Sequence, residues 1–439
     1  MVIEEHARLE ILLPNETDWR YISEDDIIQN TLSITSKCMD DSSFMLGGVF
    51  SAQLSAKLRI SGGNVNSYII IGAKINVYSW YGNDLNKEKL RGIFWITSAT
   101  RINDIYTISA SDALVWLDSA SYDDREQGAS ENKIYARLSS GIRDMSNNLK
   151  EIIDVVNEVL DEDKRIVWRG DGGVVNNMPS GIGYVLLPPD EIGEISTKNP
   201  RDYVSWLAEL ACGFIFVGYS EGDAWIKIGQ YWEEKFIEIL PEETELNSCE
   251  IADFKLKFNR VYAEIYNGHS GSEHGEITAG GITVDISANP FKDGHWQYHG
   301  GNAMDVIGEM FKKLTSPRIN FRPFKLKCHK TEFFELGQKV KLPNGEFSLL
   351  TGIKWQFRGG YTLSCAGRDT RILSVAAKRS QAAKVKDLAY TKINAEKSKI
   401  MKEITSSNSR IETLEASDVS DWNTIQGQIE DIWQAINGG

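Results

Sequence analysis

No apolar run in the 439 residues approaches the roughly 20 needed to cross a bilayer. No leader is expected at its start either: Glu4 and Glu5 stand where a signal peptide needs bases, and no apolar stretch follows. Synthesis and folding in a cytoplasm are therefore expected. Cysteine is sparse. Cys38, Cys212, Cys249, Cys328 and Cys365 are odd in number and widely scattered, and none forms the C-x-x-C pair of a zinc or redox site, so buried, reduced thiols are predicted. Basic charge is also lacking. The net charge is −14, and residues 375–439 hold nine bases against nine acids, so the preceding body carries the whole deficit. Such a body repels nucleic acid and anionic membrane, which leaves nucleic acid at most as DNA in transit.

Catalytic signatures are missing as well. The sequence contains no G-x-x-x-x-G-K-[ST] loop, no H-E-x-x-H and no G-x-S-x-G. Gly170-Asp171-Gly172-Gly173 lacks the lysine of a phosphate cradle and reads as a turn, and Arg169-Gly170-Asp171 is too short a match to an adhesion tripeptide to carry weight. His269, Glu273 and His274 miss the zinc-protease spacing by one residue and sit among glycines that predict a loop. His295 and His299 lie four apart, outside any helical pattern. The 62 acids offer many pairs for glycoside cleavage, and nothing singles one out. No catalytic residue, metal or cofactor is expected, and the chain reads as a structural protein and not an enzyme.

What is present is ordinary soluble-protein material, 41% hydrophobic and 25% charged, with 12 Trp, 16 Tyr and 16 Phe to bury. The length predicts three or four domains. Across residues 50–60, Phe50, Ala52, Leu54, Ala56, Leu58 and Ile60 alternate with polar neighbours, a half-buried strand. Strand-like runs follow at 73–80, 92–100 and 105–110, separated by turn residues, which suggests an antiparallel barrel or sandwich. Beyond Asp118 the period changes. Tyr135, Leu138, Ile142, Met145, Leu149, Ile152, Val156 and Val159 predict one or two amphipathic helices. Asn199 is placed to cap another helix, with Pro200 in its first turn and Gly213 at its end, and a hairpin follows at 214–217 and 224–228. Strand alternation resumes at 254–265, a polar glycine-rich piece spans 267–281, a helix is expected at about 303–314, and 333–366 is strand-like.

Two stretches of the chain resemble each other. Gly72-Ala73-Lys74-Ile75-Asn76-Val77, then Thr97-Ser98, then Tyr106-Thr107-Ile108-Ser109-Ala110 run parallel to Gly337-Gln338-Lys339-Val340-Lys341-Leu342, Thr351-Gly352 and Tyr361-Thr362-Leu363-Ser364-Cys365. Three blocks in one order predict two copies of one barrel domain. A trimer of such a chain would present six similar modules in a ring.

From Gly367 to Gly427 there is neither glycine nor proline. Ile393, Ile400 and Leu414 share one heptad position and Ile404 and Ile411 the other. Trp422, Ile425, Ile429, Ile432 and Ile436 then continue at 3-4 spacing after a phase shift. Isoleucine at both seam positions leans toward three strands. These ten residues are the expected oligomerisation seam, although a helix packed on its own body would show the same stripe. Residues 378–402 carry a net charge of +6 and residues 403–431 a net charge of −6, an order that opposes the helix dipole and calls for a partner.

Four stretches resemble the central baseplate or tail-tip hub proteins of tailed bacteriophages, the N-terminal hub region of the tail-associated lysozyme family. They are Phe44 to Leu54 around Gly47-Gly48; Asn199-Pro200-Arg201-Asp202 with Ala208-Glu209 and Gly213, followed by the hairpin from Gly222; Asn289-Pro290-Phe291; and Phe334 to Val340, where Gln338 replaces the usual Asp. The resemblance covers residues 1–370 and implies a trimeric hub with paired barrels set against a hexameric tail tube or distal tail protein. It also implies a distal tip or fibre protein held by the C-terminal helix, a place at the virion tail tip, and synthesis in the bacterial host. Relatives that carry a peptidoglycan-cleaving domain do so where this chain has only its helical tail, so lytic activity does not carry over. The expected fold is multidomain, mainly β with α+β. Its parts are a first β-barrel at 1–115, an α+β domain at 116–250, a second barrel at 251–370 with a helix-containing insertion at about 286–322, and a coiled-coil-like segment at 371–439. A carbohydrate-binding adhesin and a peptidoglycan hydrolase with unrecognised carboxylates remain the alternatives.

Overall fold

A computed structural model describes residues 4–367, except 15, 41–43, 61–69, 83, 85–86, 119–132, 141–142, 162–163, 168–183, 186–197, 221–222, 233–234, 266–268, 275–280, 293–302 and 316–318. The chain divides into two units, Met1–Thr370 and Arg371–Gly439, and all of the described residues belong to the first.

The first region contributes β1 (Glu5–Leu12), β2 (Arg20–Ile22), β3 (Ser33–Lys37), β4 (Gly48–Val49), β5 (Gln53–Arg59), β6 (Lys74–Tyr81), β7 (Lys89–Ile102) and β8 (Ile105–Ser111). The middle region holds α1 (Lys133–Ser139), β9 (Arg143–Asp144), α2 (Met145–Val159), β10 (Tyr184–Val185), α3 (Pro200–Leu210), and the hairpin β11 (Gly213–Ser220) and β12 (Asp223–Gln230). Next come β13 (Phe236–Glu238), β14 (Glu250–Ile251), β15 (Leu256–Ile265), β16 (His269–His274), β17 (Gly281–Asp285) and α4 (Ala303–Thr315). The last strands are β18 (Asn320–Phe321), β19 (Phe324–Cys328), β20 (Lys339–Lys341), β21 (Phe347–Leu349), β22 (Gly352–Gln356) and β23 (Gly360–Cys365).

The protein is mainly β, as expected. Eleven strands form one sheet in the order β14-β19-β23-β22-β3-β5-β8-β7-β6-β1-β2. The first and third regions therefore share a sheet, joined where β22 pairs antiparallel with β3. The alternation seen in the sequence is the burial pattern of β5, whose Leu54, Ala56 and Leu58 are buried between exposed Gln53, Ser55, Lys57 and Arg59. β1 follows the same rule, with Ala7, Leu9 and Ile11 buried. The hairpin β11-β12 adds β4 in parallel, so the middle region is stitched to the first by backbone hydrogen bonds.

Helix α3 begins as its sequence dictates. The Asn199 side chain accepts from Asp202 N at 3.0 Å and Asp202 reaches back to Asn199 N at 3.3 Å, a complete capping box with Pro200 in the first turn. Its end differs from the expectation. Cys212, not Gly213, takes the left-handed conformation (φ 55), and Gly213 already belongs to β11. Gly213 is needed there for closeness: a Cβ would lie 2.1 Å from Gly229 O.

Two other expectations are corrected. His269 and His274 were expected in a loop. They bound the strand β16, an edge strand held by antiparallel pairing with β15 and therefore without an apolar face to announce it. Four cysteines are buried as free thiols, but Cys249 is exposed because it precedes the short edge strand β14. Burial pushes the Cys212, Cys328 and Cys365 thiols up to about 12, so they stay protonated and inert.

Candidate assembly site

Three of the four stretches with family resemblance meet at α3, and the fourth packs against the hairpin that follows it. Ser205 Oγ donates to Gly47 O at 2.6 Å, and a Cβ on Gly47 (φ 70) would sit 2.5 Å from Ser205 O, so this contact needs glycine. Arg201 ties α3 to the first region. It holds Asp118 through two nitrogens, at 2.5 and 2.6 Å, and donates to Leu114 O at 2.8 Å and to Val49 O. At the helix's other end Asn289 Nδ2 donates to Trp206 O at 2.9 Å and to Glu209 Oε2 at 2.8 Å, while Asn289 Oδ1 accepts from Phe291 N. Gly337 (φ 80) packs against Gln230 O and the Phe214 ring below the β11-β12 hairpin. These motif residues are a structural keystone: they tie the middle region to the first region and, through Asn289 and Gly337, to segments of the third.

Two carboxyls lie in this keystone, Asp112 buried and Glu209 half-buried. Burial pushes Glu209 up to about 7, partly opposed by the Asn289 hydrogen bond. Burial pushes Asp112 up to about 7 as well, against hydrogen bonds from Ala52 N at 2.9 Å and Leu114 N at 3.1 Å. Among the described residues no group of three or more His, Cys, Asp or Glu could hold a metal ion. His295 and His299 lie outside the described residues, as do all ten seam residues from Ile393 to Ile436.

The sequence repeat is reproduced in strand register. β5 pairs β8 and β8 pairs β7, just as β19 pairs β23 and β23 pairs β22. Ser98, Ala99, Thr100 and Arg101 face Ser109, Ile108, Thr107 and Tyr106; Gly352, Ile353, Lys354 and Trp355 face Ser364, Leu363, Thr362 and Tyr361. Lys74 faces Trp95 as Lys339 faces Leu349. Thr97 lies at the bulge of β7 and donates to Ser109 O at 3.2 Å, and Thr351, between β21 and β22, donates to Ser364 O at 3.4 Å. The N–H of Gly72 (φ 85) reaches Ile96 O at 2.8 Å, and that of Gly337 reaches Leu350 O at 2.8 Å.

The duplication extends beyond the part legible in sequence. The 3-10 turns Glu24–Asp26 and Pro241–Glu243 lead into bridges Ile27↔Leu58 and Thr244↔Cys328. Asn30 (φ 60) and Asn247 (φ 62) follow in the left-handed region. Thr31 Oγ1 accepts from Lys57 N at 3.0 Å, and Ser248 Oγ accepts from Lys327 N at 3.1 Å. Each copy thus runs from a turn into a short leading strand (β3 or β14), then a hairpin-built sheet ending in a trailing strand (β7 or β22).

Inside the chain the two copies meet head to tail, β22 of the second against β3 of the first. A buried polar cluster braces the junction. Glu5 accepts from Trp355 Nε1 at 2.8 Å and from Arg358 N at 2.7 Å, with Arg91 Nη2 3.8 Å away. The Arg91 guanidinium stacks over Phe333 (3.9 Å) and Trp355 (4.5 Å) and donates to the Tyr361 hydroxyl at 2.5 Å. Sequence reading missed this cluster. Its members come from four distant stretches, and no local pattern marks them.

No family model and no curated protein matches the sequence. Among solved structures, the chain is similar to prophage tail protein gp18 from Listeria monocytogenes EGD-e, with 11% identity and a TM-score of 0.43, covering 86% of this chain and 99% of that one. It is also similar to the 43 kDa tail protein of prophage MuSo2 from Shewanella oneidensis, with 8% identity and a TM-score of 0.43 over 81% and 97% of the two chains. For the PdpA–VgrG complex of Francisella the values are 8% identity and a TM-score of 0.41, over 82% of this chain and 53% of that one.

Proposed function

We propose that the chain is a structural hub subunit of a phage tail tip, acting without catalysis. Three copies assemble into a ring in which the duplicated units, two per chain, make six near-equivalent modules. A ring of that kind adapts the sixfold symmetry of a tail tube or distal tail protein to a threefold tip. In this reading the two copies are the walls of two barrel-like domains, at 1–115 and 251–370. The middle region, 116–250, hangs from α3, and residues 371–439 tie three chains together or hold the next tip or fibre protein. The lumen passes DNA without binding it, as the acidic body favours.

The observation that carries the reading is the duplicated register, because two units built alike strand for strand are what multiplication by three turns into a hexagon-compatible annulus. The keystone supports it, since it ties the middle region to the first region at Leu114 and to the third at Asn289. Native mass spectrometry of the full chain at micromolar concentration tests the proposal. A trimer is expected; a stable monomer contradicts it.

A further inference from the structure

The wet face of the large sheet is charged against the balance of the chain. Its eight consecutive strands β19-β23-β22-β3-β5-β8-β7-β6 contain no Asp or Glu, although the chain holds 62. Bases occupy water-facing positions instead: Lys325 and Lys327 on β19, Lys354 on β22, Lys37 on β3, and Lys57 and Arg59 on β5. The strand register gathers them into one patch. Lys327, Thr362, Lys354, Thr35 and Gln53 face one another in a single row across five strands. Lys37 stands opposite Gly352 and so lies diagonal to Lys354, about 7–8 Å away. At about 4.8 Å per strand, the patch spans roughly 19 Å from β19 to β5.

Elsewhere the chain neutralises exposed lysines. Lys150, Lys255 and Lys312 pair with acids at 2.5, 3.0 and 2.6 Å. On this face acids reach only the margins of the patch. Asp104 holds Arg59 at 3.2 Å, Glu245 holds Lys327 at 3.4 Å, and Glu250 of β14 stands opposite Lys325. Among the described residues Lys37, Lys57, Lys325 and Lys354 form no ion pair.

We infer that this face touches the phosphates of duplex DNA. The inference rests on the reading that DNA passes through the assembled hub, and it names the surface that meets it. Composition selects the partner. Protein-docking faces are centred on aromatic and apolar side chains and are poor in lysine. In these strands Ile102, at a far corner, is the one exposed large apolar side chain among the described residues. Hydroxyls and amides surround the bases: Gln356, Ser33, Ser55, Ser109 and Ser98 face one another in the row beside Lys354. Lysine, serine, threonine and glutamine are side chains that bond phosphate oxygens. A single strand would need exposed aromatic rings to stack on, and from β19 to β8 the wet positions carry none. Four unpaired lysines give the logarithm of the binding constant a slope of about −3.6 against the logarithm of salt concentration, about 150-fold between 50 and 200 mM. The contact is therefore firm in dilute salt and loose in physiological salt, which lets a duplex slide past without being held.

Fluorescence anisotropy of a short labelled duplex, titrated with the full chain between about 50 and 200 mM salt, tests the inference. Binding with a steep salt slope is expected. Lys57→Gln/Lys325→Gln/Lys354→Gln should flatten the slope by about 2.7 and weaken binding at low salt by roughly tenfold or more. The control Lys87→Gln/Lys235→Gln/Lys312→Gln changes the net charge equally, at exposed positions off this face, and should leave both nearly unchanged. Far-UV circular dichroism checks that each variant keeps the fold. Equal losses in the two variants would reduce the effect to net charge and overturn the inference. Tighter binding of single strands would overturn it too. So would displacement of the duplex by poly-L-glutamate at equal charge concentration, which would assign the face to an acidic protein. Absence of DNA binding by a protein that is trimeric in native mass spectra would overturn it and leave the hub standing. Lysine-dependent DNA binding by a stable monomer would uphold the face and remove the hub.

Discussion

The duplicated turn at Gly72 and Gly337 offers a comparison the protein itself controls. Both glycines have left-handed φ (85 and 80), and both N–H groups make the same 2.8 Å bond, to Ile96 O and to Leu350 O. Alanine at either site meets the left-handed penalty of roughly 1–2 kcal/mol, offset in part by about 0.4–1 kcal/mol from a stiffer unfolded chain. The surroundings differ. Among the described residues, a methyl on Gly72 meets only Pro14 Cγ, at 3.8 Å, an ordinary contact. A methyl on Gly337 lies 2.3 Å from Gln230 O and 2.7 Å from the fully buried Phe214 ring, so a backbone carbonyl and a core aromatic must move. Overpacking of that kind adds about 1–3 kcal/mol. Gly72→Ala should therefore cost about 1 kcal/mol and Gly337→Ala about 2–4 kcal/mol. Urea titrations followed by tryptophan fluorescence and by far-UV circular dichroism measure both. Equal losses, or a larger one for Gly72→Ala, would refute the claim that backbone equivalence and packing difference can be separated in this way.

Three further outcomes follow from the keystone and the junction. Glu5→Ala strips the carboxylate from Trp355 Nε1, Arg358 N and buried Arg91, and should cost about 3–5 kcal/mol, with Glu5→Gln milder; thermal melts compare them. Glu209 titrates at about 7 in the fold against an ordinary 4.5, so the folded state holds a proton that the unfolded chain releases. Stability gained from that proton grows as pH falls from about 7 towards 4.5, on the order of 3 kcal/mol. Asp112 acts in the same direction. Glu209→Gln should shrink, without erasing, the gain in melting temperature between pH 8 and pH 5, and an unchanged gain would count against the assignment. Arg201→Lys keeps the charge but loses the forked grip on Asp118 and the reach to Val49 O and Leu114 O, so about 1–3 kcal/mol should be lost, read from the urea midpoint.

Strands with one wet face were readable in the sequence, because β5 and the neighbouring β6 to β8 alternate or run apolar between turn residues. So was α3, whose cap, first-turn proline and apolar stripe are local features. Edge strands were not. β16 (His269–His274) has no apolar residue in its sequence, and β14 is two residues long, held in place by tertiary pairing. The repeat was legible only in its apolar core blocks. Its opening turn, with Asn30 and Asn247 at matching positions, is conserved in backbone shape while most of its side chains differ, and shape at that level is invisible in residue identity. The head-to-tail junction could not be read at all, since Ser33–Lys37 and the Glu5 cluster acquire meaning only once β22 lies beside them.

End-on cryo-electron microscopy of the purified full chain is the most direct test of the central claim, that a twofold-duplicated polypeptide closes by threefold self-association. The class averages should show an annulus of threefold symmetry with a dominant sixfold component in its rotational spectrum. A monomer, a twofold dimer, or a ring whose spectrum lacks the sixfold component would contradict it.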